Sequence, residues 1–225
     1  MAADQCRTRA RRGTGAARRH GTRSRSALVV PDAEVHLPEL LADAGVEPDA
    51  VDLVVHTHLH VDHVGWSGAF PNARYVVHED DWAFFMTEES LAERPHLREK
   101  VAPLQADGRI ELVAGETEVA PGVRVLSTPG HTPGHMSVRV ESGGDALVVL
   151  GDVVVHQVQV ADPSLQYVSD ADHELAVATR RRVLAQLAEE AVPVVAGHFP
   201  DAGRFVREGD GFAWAPTKNE AAPVE

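Results

Sequence analysis

Residues 51–65 read VDLVVHTHLHVDHVG. A short apolar run that ends in polar, turn-prone sequence reads as a buried strand, here VDLVVHT over 51–57. The histidines therefore fall where the strand gives way to a loop. In HLHVDH, His58 and His60 stand at i and i+2 and can point to one side of an extended turn. Asp62 and His63 follow at once and can face a second point a few ångströms away. That arrangement suits two adjacent ions better than one. Neutral imidazole and carboxylate together suit zinc, and also manganese or iron.

Working outward, three later apolar runs end in metal-competent side chains. TPGHTPGH (128–135) follows VRVLST, Asp152 follows ALVVLG, and His198 follows PVVAG. Each places a donor straight after a strand, where loops converge. His131 and His135 both stand in the TPGHTPGH loop as candidates.

The HxHxDH motif, the TPGH loop, the aspartate after a strand and the final Gly-His together resemble the metallo-β-lactamase-fold hydrolases, over residues 38 to 212. HVGW, FPNARY (70–75) and GHFP (197–200) are similar to a lactonase-like or organophosphate-hydrolase-like subgroup rather than to the penicillin-destroying members. The resemblance implies an α+β fold, an αββα sandwich of two similar halves. It implies that His58, His60 and His131 hold a first metal, and that Asp62, His63 and His198 hold a second, with Asp152 bridging. His135 is then left to shape the loop. The implied cofactors are two divalent ions, in the first place Zn2+, with Mn2+ or Fe2+ as alternatives.

The implied activity is metal-dependent hydrolysis by a hydroxide generated between the two ions, with Asp62 passing a proton to the leaving group. The expected substrate is a small molecule, a lactone or ester first. Phosphotriesters and thioesters are alternatives within the fold, and a non-catalytic truncated fragment is another. Trp66 and His156 are candidate substrate contacts, each with a plainer reading as a packed or loop residue. Related lactonases place a tyrosine three residues after the bridging aspartate, where this chain has Val155.

Composition bounds the rest. The 225 residues carry a formal charge of −13, but residues 1–26 hold eight arginines against one acid, so the body is more acidic still. An acidic body argues against nucleic acid as a partner. The only cysteine, Cys6, rules out a disulfide framework and a thiolate site. No apolar run has the length of a membrane span or of a secretory leader, so no membrane partner and a cytoplasmic location are expected. Composition leaves the oligomeric state open.

Residues 1–26 lack aliphatic content and read as an Arg-rich disordered tail before a domain over 27–225. In the family this region carries several strands, so the first half-sheet is expected to be incomplete. The Arg/Gly/Thr/Ser mixture would suit a GC-rich frame read from another start. Helices are expected at PELLADAG (38–45), from EDDWAFFMTEE (79–89) and over 170–190. Strands are expected at 73–78, 110–113, 123–128, 137–142, 146–152, 193–198 and 204–208. His56 is expected to pack on its strand; His20, His36, His78, His96 and His173 read as solvated or capping. Arg180, Arg181 and Arg182 read as a solvated helix face.

Overall fold

The computed structural model describes residues 2–3 and 37–217. The expected tail, apart from Ala2–Ala3, and His20 and His36 lie outside these residues. Two sheets form. The first has four parallel strands in the order β1 (Ala2–Ala3), β2 (Leu53–Val55), β3 (Arg74–His78) and β4 (Ile110–Val113). The second has seven: β5 (Thr117–Ala120), β6 (Val123–Ser127), β7 (Met136–Ser142), β8 (Asp145–Gly151), β9 (Val194–Ala196), β10 (Gly203–Glu208) and β11 (Gly211–Pro216). Its neighbours run antiparallel except β8 and β9, which are parallel.

Side-chain alternation along the strands sorts the molecule into layers. Val55 and Val76 face inward and pack with Val125, Met136, Val138 and Val149 of the second sheet. Their neighbours Val54 and Tyr75 face outward, toward helix α1 (Leu37–Asp43) and Leu104 of α5 (Ala102–Ala106). Val77 also faces outward, onto Phe85 of α2 (Glu79–Phe85) and Leu97 of α4 (Pro95–Lys100). Short α3 (Glu88–Glu93) lies between these two in the chain. In β8, Val149 joins the inter-sheet core while Val148 and Leu150 turn the other way. They meet Val183, Leu184 and Leu187 of α7 (His173–Glu190), preceded by one-turn α6 (Val158–Ala161). The result is helix, sheet, sheet, helix: the αββα sandwich the resemblance implies.

The expected strands and helices are present, with ends within three residues of their expected positions except where the acidic run 79–89 divides. Helix α1 stops before Gly45, which takes φ 69°. The acidic run 79–89 splits after Phe85 and restarts at Glu88, with Thr87 accepting from the Ser90 N–H as a new cap. Strands β1, β5 and β11 were not expected: β1 falls within the expected tail and pairs with β2, while β5 and β11 pair as hairpins with their chain neighbours.

Arg180 does not sit on a solvated face: it is 1% exposed and packs inside, whereas Arg181 and Arg182 are exposed. Residues Ala176, Arg180, Val183, Leu184 and Leu187 form one buried stripe at helical spacing, which carries the guanidinium inward.

Candidate metal centre

The four ligand-bearing segments meet where strands of both sheets end. The loop after β2 is tied to both sheets: His56 N–H donates to the Val76 carbonyl at 3.0 Å, and the Met136 N–H donates to the Thr57 carbonyl at 2.8 Å. The loop after β6 lies against α7 and the turn before it, where Ala171 N–H donates to the His131 carbonyl and Thr179 Oγ1 to the Pro129 carbonyl, at 3.0 and 2.7 Å. Gly130 permits that approach: its φ is 130°, and a Cβ there would meet the Ala176 backbone at 2.4 Å. The loops after β8 and β9 join through Gly197 N–H and the Gly151 carbonyl.

All seven sequence-predicted ligands come together. Donor atoms within 4.8 Å of one another form three overlapping groups: His58, His60 and His131; Asp62, His63 and His198; and His58, His63 and Asp152. Asp152 reaches across both trios. Its Oδ2 lies 3.9 Å from His58 Nε2, 3.4 Å from His131 Nε2 and 3.3 Å from His198 Nε2, and its Oδ1 lies 3.4 Å from His63 Nε2. His131 Nε2 and His60 Nδ1 point at each other across 3.0 Å.

The donor set fits divalent cations. Two of its buried atoms, His58 Nε2 and Asp152 Oδ1, have no protein hydrogen-bond partner, which is costly unless something else satisfies them. Imidazole nitrogens with carboxylate oxygens suit zinc, and also manganese or iron. For His58, His60 and Asp152, the surroundings favour the metal-competent forms. Burial, reinforced by neighbouring His63, pushes the His58 imidazole well below its ordinary range. Burial and then His131 lower His60 to about 4. Burial works to raise the Asp152 carboxyl, but the imidazoles around it, His63 first, hold it well below the usual range. The hydrogen bond to Asp152 raises His198.

His135 is outside the three groups and is fully committed elsewhere. Its Nε2 accepts from the Asp152 N–H at 2.9 Å, so Nδ1 carries the proton and donates to Thr128 Oγ1 at 2.8 Å. Gly151, at φ 61°, leaves room for that ring, since a Cβ would meet His135 Nε2 at 2.6 Å. Burial, then His131, lowers its pKa to about 3, consistent with a neutral ring. His135 shapes the loop.

Of the other candidates, Trp66 is half-buried on the turn after the histidine loop, and His156 is exposed with Nδ1 accepting from the Val158 N–H. Neither belongs to the ligand groups. His56 is buried and stacks on Tyr75; His78 caps α2 by accepting from the Asp80 N–H. His96 is half-buried and His173 exposed.

Three residues beside the site were not singled out in the sequence. Asp170 Oδ1 accepts from His131 Nδ1 at 2.9 Å and is buried. Tyr167 stacks on His131 with ring centroids 6.1 Å apart, and Phe85 meets His60 edge-on at 5.5 Å. The run SDADHE offered no signal for Asp170, because acids before a helix usually cap it.

The model of the metallo-beta-lactamase superfamily matches residues 21–198, and the chain belongs to that superfamily. Among characterised relatives, the N-acyl homoserine lactonase AiiA of Bacillus thuringiensis subsp. kurstaki is 28% identical over 165 residues, 73% of this chain and 62% of that protein. The chain thus spans less than two thirds of that relative's length. The crystal structure of the hydrolase AbOPH in the beta-lactamase superfamily superposes with TM-score 0.75 at 29% identity, covering 85% of this chain and 73% of that one. A second structure, an N-acyl homoserine lactone hydrolase with the product N-hexanoyl-L-homoserine bound at its catalytic metal center, gives TM-score 0.58 at 28% identity, covering 71% and 60%.

Proposed function

We propose that the chain is a metal-dependent hydrolase that opens a lactone ring or cleaves a comparable ester, with an N-acyl homoserine lactone as the leading substrate. The observation that carries this reading is Asp152 within 3.9 Å of imidazoles from both trios, which suits a carboxylate shared by two cations. His58, His60 and His131 would hold one ion, and Asp62, His63 and His198 the other. When bound, such a pair supplies Lewis-acid polarisation of the substrate oxygen and acidifies water to near neutral pH.

The chain's own residues define the rest. His58, His63, His131 and Asp152 are buried, whereas the side chains of Asp62 and His198 are 46% and 40% exposed. The substrate therefore meets the cluster on the Asp62–His198 side. Asp62 Oδ2 lies 3.7 Å from both His63 Nε2 and His198 Nε2, and its exposure lets it carry a proton to the leaving alkoxide. Val155 offers no hydroxyl, but the Tyr167 phenol, partly exposed and stacked on His131, stands beside the cluster. Leu165 and Val168 are exposed on the same segment and suit an acyl chain.

A panel of acyl homoserine lactones, simple lactones, aryl esters, thioesters and phosphotriesters tests this reading, with and without a chelator. Chelator-sensitive turnover highest on lactones is expected. Turnover confined to thioesters or phosphotriesters would replace the substrate, and turnover unaffected by chelation would overturn the reading.

A further inference from the structure

Arg180 is a large charged side chain with almost no exposure, and its bonds tie together three segments around the metal centre. Its Nε donates to the Val153 carbonyl at 2.9 Å, one residue after Asp152. Its Nη1 donates to the carbonyls of Pro163 and Leu165 at 3.1 and 2.6 Å. Its Nη2 lies 3.6 Å from Asp170 Oδ2, and the other oxygen of that carboxylate accepts from His131 Nδ1. Asp170 Oδ2 also accepts from the Tyr167 N–H at 3.2 Å. One planar guanidinium thus reaches the loop after β8, the segment carrying Tyr167, and the carboxylate that orients His131.

We propose that Arg180 and Asp170 are positioning residues that act as one unit, setting the His131 ring and the Asp152 loop relative to each other. The inference rests on the reading that His131 and Asp152 hold metal. Three features of the pair support it. A buried guanidinium with no partner would be strongly unfavourable, so its bonds fix the local geometry. The fork of donors matches three divergent carbonyls and a carboxylate, which a lysine ammonium cannot reproduce. A carboxylate on the far nitrogen of a ligand histidine fixes its tautomer and raises its basicity, and loss of such a partner typically weakens metal affinity about 10–100-fold.

The test uses full-length protein loaded with Zn2+ or Co2+, in four forms: wild type, Asp170→Asn, Arg180→Lys and the double variant, with Arg181→Ala as an exposed control. Zinc affinity is read by competition with a chromophoric chelator, and ligand geometry by the Co2+ absorption spectrum. Neither readout depends on any substrate, so their failure is distinct from failure of the lactonase reading. The two single variants are expected to bind one zinc equivalent at least tenfold more weakly, with an altered cobalt spectrum, while the control matches wild type. The double variant should lose little more than the worse single one, because both changes break the same path. Wild-type affinity and spectrum in both single variants would overturn the proposal. So would losses that multiply in the double variant. Asp170→Asn is isosteric, so it provides the reading if Arg180→Lys does not fold.

Discussion

Asp152 and Asp81 are both buried carboxylates, and their surroundings treat them oppositely. Asp152 faces four imidazoles, which hold it ionised despite burial. Asp152→Asn keeps the shape and removes the charge that lets two cations sit close together. The variant is expected to keep about one metal equivalent after dialysis where the wild type keeps about two; elemental analysis decides it, and two tightly held equivalents would remove Asp152 from the bridging role. Asp81 Oδ1 accepts from the Gly134 N–H at 2.7 Å, and Thr132 and Leu59 also favour its charged form, but burial outweighs them. Burial therefore raises its pKa from 3.8 to about 6. The sign follows: below the unfolded value both states are protonated and nothing is lost, and as pH rises through the folded value the ionised form weakens the fold. By linkage the loss is at most about 3 kcal/mol at neutral pH. Asp81→Asn is expected to melt above wild type at pH 8 and level with it at pH 4. A melting difference that does not change between those pH values would contradict this account.

At the scale of elements, α7 does more than cover the second sheet. It seats the TPGH loop through Thr179, helped by Ala171 just before its first turn, and it carries Arg180. Gly130→Ala is expected to cost upwards of about 2 kcal/mol, since the new Cβ would meet the unyielding backbone of Leu175 and Ala176 and the left-handed φ strains any other residue. Thermal melting of the metal-free and zinc-loaded forms reads the loss, with zinc rescuing less than in wild type. The same helix ends on Ala191 at φ 51°, a conformation that suits glycine. Ala191→Gly should raise stability by about 1 kcal/mol, visible as a higher melting temperature. The sequence revealed the strands best where apolar runs were long, as in β8, and the residues of the candidate metal cluster where they followed such runs. It hid β5, whose TEVA has four residues, and β11, whose GFAWAP is bounded by Gly and Pro; both are edge strands that pair with one neighbour only. It hid Asp170 because only Asp172 among the nearby acids caps α7, and a linear reading cannot tell a cap from a residue that faces a histidine. Arg180 was legible in principle. Its spacing from Ala176, Leu184 and Leu187 marks the buried face, but three arginines in a row suggested solvent instead.

Across the whole molecule, the sandwich brings four loops from both sheets to one place, so that no single element holds either trio of ligands. His58, His60, Asp62 and His63 come from the first sheet, and His131, Asp152 and His198 from the second. Metal binding should therefore tie the sheets together, and zinc is expected to raise the melting temperature in a concentration-dependent way. Among the described residues no helix is long and apolar enough to cross a membrane. In the proposed function these seven side chains hold two ions as one centre. Metal content per chain, measured on the full-length protein expressed with zinc and dialysed against metal-free buffer, tests it most directly. About two equivalents in the wild type, with His60→Ala falling to about one or less, is the predicted result. Less than half an equivalent in well-folded wild-type protein, or no change in the His60→Ala variant, would contradict it.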